Sequence, residues 1–344
     1  AYLIRRKINM NNMIYRQLMV SQINIQKRDF FPTLPDIFAP CVWSLLGWNT
    51  ITLNNFLHAK KILVTLPHAS PNIFFPRAGV SKFVTEKQKE DDDYFHLRVV
   101  LTHTNFSDLG WRPYAWWYLN EEGILTKQSL FSRNKKKKHY IISSQPPLFL
   151  NKQPYPHFLE KGIQLAQHTN NLALSYIVLQ AWQEKLSNFS LANRTLYIPF
   201  DTLILLMQTL AKQQPKEHPW LLNLLIYAQS RAFRDHQLEY IHQWENAYVY
   251  DNYTNISLLF PLAPTAIVGG VKMQQYWSYI VDNVISINGR MTIPCPIPQC
   301  IVFPQRQEYL LPYSPKQKTL LQIQEADIEY SLAMAMTEHQ LYTT

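Results

Sequence analysis

Hydrophobic and polar side chains alternate most cleanly in "YFHLRVVLTHTNF", where Leu97, Val99 and Leu101 fall on one side of an extended backbone and His96, Arg98 and Thr102 on the other. That period of two predicts a strand. Another is expected at residues 15–26, with Leu18 and Val20 on one face; the alternation slips by a residue before Ile23 and Ile25, the mark of a bulge. "KILVTLP" and "PTAIVGGV" are short, continuously apolar runs, the form taken by strands covered on both faces, and Gly269 and Gly270 close the second. "RPYAWWYL", "ILTKQSLF" and "HYIISS" read as a meander joined by "NEEG" and "SRNKKKK". "VISINGRMTI" carries Asn288-Gly289 between alternating apolar residues, the pattern of a two-residue hairpin.

A helical period takes over between Pro156 and Tyr248. "LALSYIVLQAWQEKL" sets Leu174, Ile177, Ala181 and Trp182 on one stripe. "RTLYIPFDTLILLMQTLAKQ" reads as a strand entering a helix capped by Asp201. "HPWLLNLLIYAQSRAFRDHQLEYIHQWENAY" predicts one long or kinked helix, with Pro219 near its first turn and Leu221, Leu225, Ala228, Leu238 and Ile241 on its apolar side. "VTEKQKEDDD" reads as an exposed loop, and Cys41 to His58 is open between a short helix and irregular packing. Six prolines between Ile293 and Gln317 predict extended chain wrapping a surface, followed by an amphipathic helix from near Lys316. The expected fold is therefore α+β: an antiparallel, β-rich body formed by the N- and C-terminal parts around a helical middle section. The expected stretches are 1–150 (β-rich, with the aromatic and basic meander), 151–248 (helical) and 249–344 (hairpin, proline-rich segment and final helix), the last packing with the first.

Composition narrows the functional classes. Eight glycines in 344 residues is about a third of the usual share, which counts against folds that approach phosphates through glycine turns. Tyrosine and tryptophan are plentiful, 20 and 9, and such rings fill cores and interfaces or stack on bases. Three cysteines, Cys41, Cys295 and Cys300, leave one unpaired, as expected of free thiols in a reducing, intracellular compartment (cytoplasm or organelle matrix). No run approaches the roughly 20 apolar residues of a membrane span, so no membrane partner is expected. The formal charge is +9, and a basic chain of this kind attracts polyanions without choosing among them.

The motifs of nucleotide hydrolysis, dinucleotide binding, serine hydrolysis and zinc proteolysis are missing, and the reading leans away from an enzyme: no catalytic residue, metal ligand or cofactor is assigned. Cys295 and Cys300 have two prolines between them and no nearby third ligand. On a helix, His236 and His242 would stand about 120° apart, too divergent to share a metal with Glu239. Asp91 to Asp93 suit a hydrated loop better than a cation site.

The densest cationic run is Arg133, Lys135, Lys136, Lys137, Lys138 and His139, at the tip of a strand-to-strand connection. Trp116 and Tyr118 share a strand face nearby, and cations with aromatic faces are the usual equipment for holding single-stranded nucleic acid. Arg231 and Arg234, three apart on the expected long helix, add a second candidate phosphate contact. The leading expectation is a non-catalytic nucleic-acid-binding subunit of an intracellular nucleoprotein assembly, with RNA ahead of DNA and other protein subunits as neighbours. The alternatives are a structural or adaptor protein of a protein complex, and an enzyme whose site is dispersed in sequence.

Overall fold

Apolar runs too short to be helices, such as "KILVT" and "AIVGG", become the strands of a sheet whose neighbours all run parallel. The computed structural model describes residues 39–65, 76–100, 115–119, 125–129, 157–167, 169, 172–186, 188–199, 203, 207–208, 211, 216, 219–230, 232–234, 237–238, 248–249, 256–288 and 296–303. The strand expected at 15–26, the "HYIISS" strand, the Asp201 cap and the helix from Lys316 lie outside them.

In chain order, α1 (Ala39–Leu45) and α2 (Thr50–His58) lead into β1 (Lys61–Thr65). Helix α3 (Pro76–Glu90) and strand β2 (Tyr94–Val100) follow, then β3 (Ala115–Leu119) and β4 (Leu125–Ser129). Next come α4 (His157–Gln167), α5 (Leu172–Leu186), β5 (Thr195–Pro199) and α6 (Pro219–Ser230). The short strands β6 (Ala232–Arg234), β7 (Gln237–Leu238) and β8 (Tyr248–Val249) precede β9 (Ala266–Gly270), α7 (Val271–Asn288) and β10 (Gln299–Phe303).

The main sheet has five strands in the order β10-β9-β1-β2-β5, and every neighbouring pair is parallel. The expected antiparallel body is thereby overturned. Parallel neighbours need a crossover between them, and the helices supply it: α3 joins β1 to β2, α4 and α5 join β2 to β5, and α7 joins β9 to β10. Strands from all three stretches, 1–150, 151–248 and 249–344, pair in this sheet. The order reverses between β1 and β9, the arrangement of doubly wound sheets.

Three local expectations change with it. "VTEKQKE" is the end of α3, not a loop; Lys87 pairs with Glu90 and Lys89 with Glu86 along its outer side. The Asn288-Gly289 hairpin does not form, because Val284 to Asn288 belong to α7, whose Met273, Ile280 and Val284 are buried at helical spacing. An Asn-Gly pair suits the end of a helix as well as a hairpin, and the longer stripe prevails. The long helix stops at Ser230; its Leu221, Leu225 and Ala228 are buried as expected, but Ala232–Arg234 is a strand paired antiparallel with Gln237–Leu238 and Tyr248–Val249. The proline-bounded "QCIVF" is an edge strand, where proline is tolerated.

Register decides what each face carries, since partners on neighbouring strands point the same way. One face shows Ile62 and Val64, Phe95, Leu97 and Val99, Leu196 and Ile198, and Ile267, all buried in the main apolar cluster with Met273, Ile280 and Val284 of α7. Phe56 of α2 meets Phe95 there at 5.5 Å between ring centres. At the outer edge of β5, the Tyr197 amide donates to the Leu46 carbonyl at 3.0 Å and the Trp48 indole donates to the Tyr197 carbonyl at 2.7 Å, so the α1–α2 connection covers an otherwise open strand.

That cover depends on Gly47, which has φ +81° and would set a Cβ 2.4 Å from the Thr195 carbonyl oxygen. Gly47→Ala should lose about 1–2 kcal/mol to the left-handed backbone alone. The overlap with backbone adds to this, and urea unfolding of the variant would read the total; wild-type stability would mean that the connection can move off the strand.

Candidate functional site

The opposite face of the sheet is polar where α3 and α5 cover it. Thr65, Arg98 and Tyr197 are direct partners across β1, β2 and β5, and His96 and Thr195 form the row beside them. Against this row α3 sets Ser81, Thr85 and Gln88, four and three residues apart and so on one side of the helix, while α5 contributes Gln180 and Glu184. All of these side chains are buried. The face that alternation marked as polar is therefore polar, but dry.

Glu184 is the centre of the cluster. Its Oε1 accepts from Arg98 Nη2 at 2.7 Å, Ser81 Oγ at 2.8 Å and Gln180 Nε2 at 3.0 Å, and its Oε2 accepts from the Tyr197 hydroxyl. Arg98 Nη1 reaches Thr65 Oγ1 at 3.4 Å, and the same hydroxyl lies 2.8 Å from His96 Nε2. Burial, reinforced by the negative charge of Glu184, pushes the Tyr197 phenol well above its usual range, so it stays a donor. A buried carboxylate with this many donors is anchored rather than poised to react, and solvent reaches neither Arg98 nor Glu184 appreciably.

Burial, and then the nearby Arg98 charge, hold His96 well below the usual imidazole range, so the ring is neutral in the folded chain. Below about pH 6.5 the unfolded chain takes up a proton that the folded chain refuses, and stability falls as pH drops, by at most about 1.4 kcal/mol per pH unit. Unfolding free energies of the wild type should therefore decline more steeply from pH 7 to 5 than those of His96→Gln. Parallel slopes would show that the ring reaches water when folded.

A second charged group sits at the amino-terminal edge of the same strands. Asp91, Asp92 and Asp93, between α3 and β2, are each matched by a cation: Lys61 for Asp91, Arg194 for Asp92 at 2.9 Å, and Lys60 for Asp93 at 2.9 Å. Hydrogen bonding by Lys61 holds the Asp91 carboxyl below its usual range, and Asp91 in turn raises the Lys61 ammonium. Each of the three acids is thus paired with a protein cation at the water-exposed rim of the sheet, with Asp92 fully open to solvent.

The predicted site residues are divided. Arg133, Lys135, Lys136, Lys137, Lys138, His139 and Arg231 lie outside the described residues, as do Cys295, His236, Glu239 and His242. Arg234 is in β6, register partner of Gln237, and not on a helix, so its helical pairing with Arg231 does not hold. Cys300 lies half-buried in β10, and burial pushes its thiol up to about 11. Trp116 and Tyr118 are on β3, with Gln128 and Thr126 of β4 as their partners, so these four residues share one face of an antiparallel ribbon. Among the described residues that ribbon pairs with no further strand.

Sequence reasoning missed Glu184, Tyr197, Ser81 and Thr65. The available signal was a pair of cationic or basic residues, His96 and Arg98, in an otherwise apolar strand followed by a helix pattern containing a lone glutamate. Among the described residues, no group of three or more metal-ligating side chains gathers, and no helix is long and apolar enough to cross a membrane. No family model, curated protein or solved structure matches this chain.

Proposed function

We propose that the chain is a non-catalytic subunit of a nucleoprotein assembly in a reducing compartment inside the cell, binding single-stranded nucleic acid with RNA ahead of DNA. The observation that carries the reading is the two-stranded ribbon in the β2–β5 crossover, on which Trp116 and Tyr118 share a face. The lysine run Lys135 to Lys138 begins six residues after the ribbon's second strand ends at Ser129. The crossover leaves the sheet at the carboxyl end of β2, and the carboxyl ends of the strands are where open parallel sheets receive ligands. Rings beneath bases and ammonium groups on phosphates make a sequence-tolerant grip, and RNA offers unpaired bases in loops and ends. The buried Arg98–Glu184 pair holds α5 to the sheet and offers no charge to a ligand.

Fluorescence anisotropy of the full chain with labelled single-stranded RNA and DNA, titrated from low to physiological salt, tests this. Binding that weakens linearly on a log–log plot, and RNA bound at least as tightly as DNA, is expected. No salt-sensitive binding at low ionic strength would end the proposal.

A further inference from the structure

We infer that Lys161, Lys185 and Trp182 form a second contact for the phosphodiester backbone of single-stranded RNA; the inference rests on the nucleic-acid reading above. Trp182 on α5 lies against Gly162 of α4, where an added Cβ would fall 2.4 Å from the indole Cδ1. Glycine inside a helix is unfavourable relative to alanine. In a chain with only eight glycines, one is placed where it lets this ring settle on the neighbouring helix. The ring in turn gathers two cations: Lys161, beside the glycine, and Lys185, one turn beyond Trp182, stand with Nζ 5.7 and 5.9 Å from its centre.

Both lysines are exposed, and neither has a carboxylate partner among the described residues. This separates them from Lys60, Lys61, Lys87, Lys89, Arg98 and Arg194, each of which is ion-paired. The two nearest carboxylates in sequence do not neutralise them: Glu184 is turned inward onto Arg98, and Glu160 makes no ion pair among the described residues. Two ammonium groups collected on one ring and left without counter-charge favour a ligand that can reach both. A nucleic-acid strand carries a negative charge at every step, so neighbouring phosphates of one strand can meet both ammonium groups.

The test compares wild type, Lys161→Gln/Lys185→Gln, Lys135–Lys138 all changed to Gln, and Lys216→Gln as an exposed-lysine control, all as full chains with a labelled single-stranded oligoribonucleotide across salt. Removing two contacts should flatten the log–log salt slope by about 1.4 and weaken binding about 25-fold at 0.1 M salt. The control should match wild type, and thermal unfolding of the double variant should stay cooperative with only a small downward shift, since both lysines are exposed and lose no more than their contacts to the Trp182 ring. An unaltered slope in the double variant, with wild type binding and the lysine-run variant impaired, removes this surface and leaves the broader reading standing. Absence of binding by wild type removes both. Displacement of the RNA by poly-glutamate at equal charge concentration would overturn the assignment to a phosphodiester partner.

Discussion

Arg98→Met should lower the unfolding free energy by about 3–5 kcal/mol, the largest single-residue effect expected in this protein. The guanidinium and the Glu184 carboxylate meet at 2.7 Å with both side chains closed to solvent, so removal of the cation leaves a buried charge with only neutral donors around it. The attraction itself is offset by the desolvation of both groups; the loss comes from stranding one partner. Replacing both residues, Arg98→Met with Glu184→Met, should therefore recover part of the loss. Recovery stays incomplete because Ser81, Gln180 and Tyr197 lose the acceptor they share, at about 1 kcal/mol for each bond. Urea unfolding of wild type, the two single variants and the double variant measures the coupling directly. A loss below about 1 kcal/mol in Arg98→Met would mean that water enters the cluster and screens it.

Changing Lys135, Lys136, Lys137 and Lys138 together to glutamine should have the largest effect on binding. A single-stranded ligand contributes about 0.7 to the log–log salt slope for each phosphate neutralised, so four lysines in contact account for about 2.8. At 0.1 M salt this corresponds to a loss on the order of 10²–10³-fold in affinity, shrinking toward nothing near 1 M. The expected signature is thus a difference that depends on salt, which distinguishes lost phosphate contacts from a damaged fold. Unchanged affinity and slope would clear the run of any part in binding and leave Trp116 and Tyr118 without their companions.

The two largest expectations stand in different relation to the sequence. The lysine run announces itself as four like charges in a row, because charge density along a chain needs no structure to be seen. The Arg98 cluster does not. His96 and Arg98 were visible as the polar side of an alternating strand, and alternation ordinarily means that the polar side meets water. Here α3 and α5 close over it, and the partner that makes this tolerable, Glu184, is 86 residues away from Arg98. "VTEKQKE" hid α3 in a similar way: after the buried Phe83 and Val84 the helix turns only the polar Thr85 and Gln88 inward, and its outer face is charged, so no apolar stripe continues to mark a helix over that part of the chain.

Short extended runs and several helical stripes were legible along the chain: "KILVT", "YFHLRVV", "TLYIP" and "AIVGG" are strands, and Leu172–Leu186 is a helix, as their local apolar patterns indicated. Period is a local property, set by which side of a few residues is buried. Strand direction and order are not local. That these runs lie parallel, that β9 returns beside β1, and that α7 overrides the hairpin suggested by Asn288-Gly289 emerged from packing across the whole fold. Each of these outcomes compares contacts between distant segments: a strand buried on both faces has the same sequence whichever way its neighbour runs, and the choice falls to the helices that must cover the sheet.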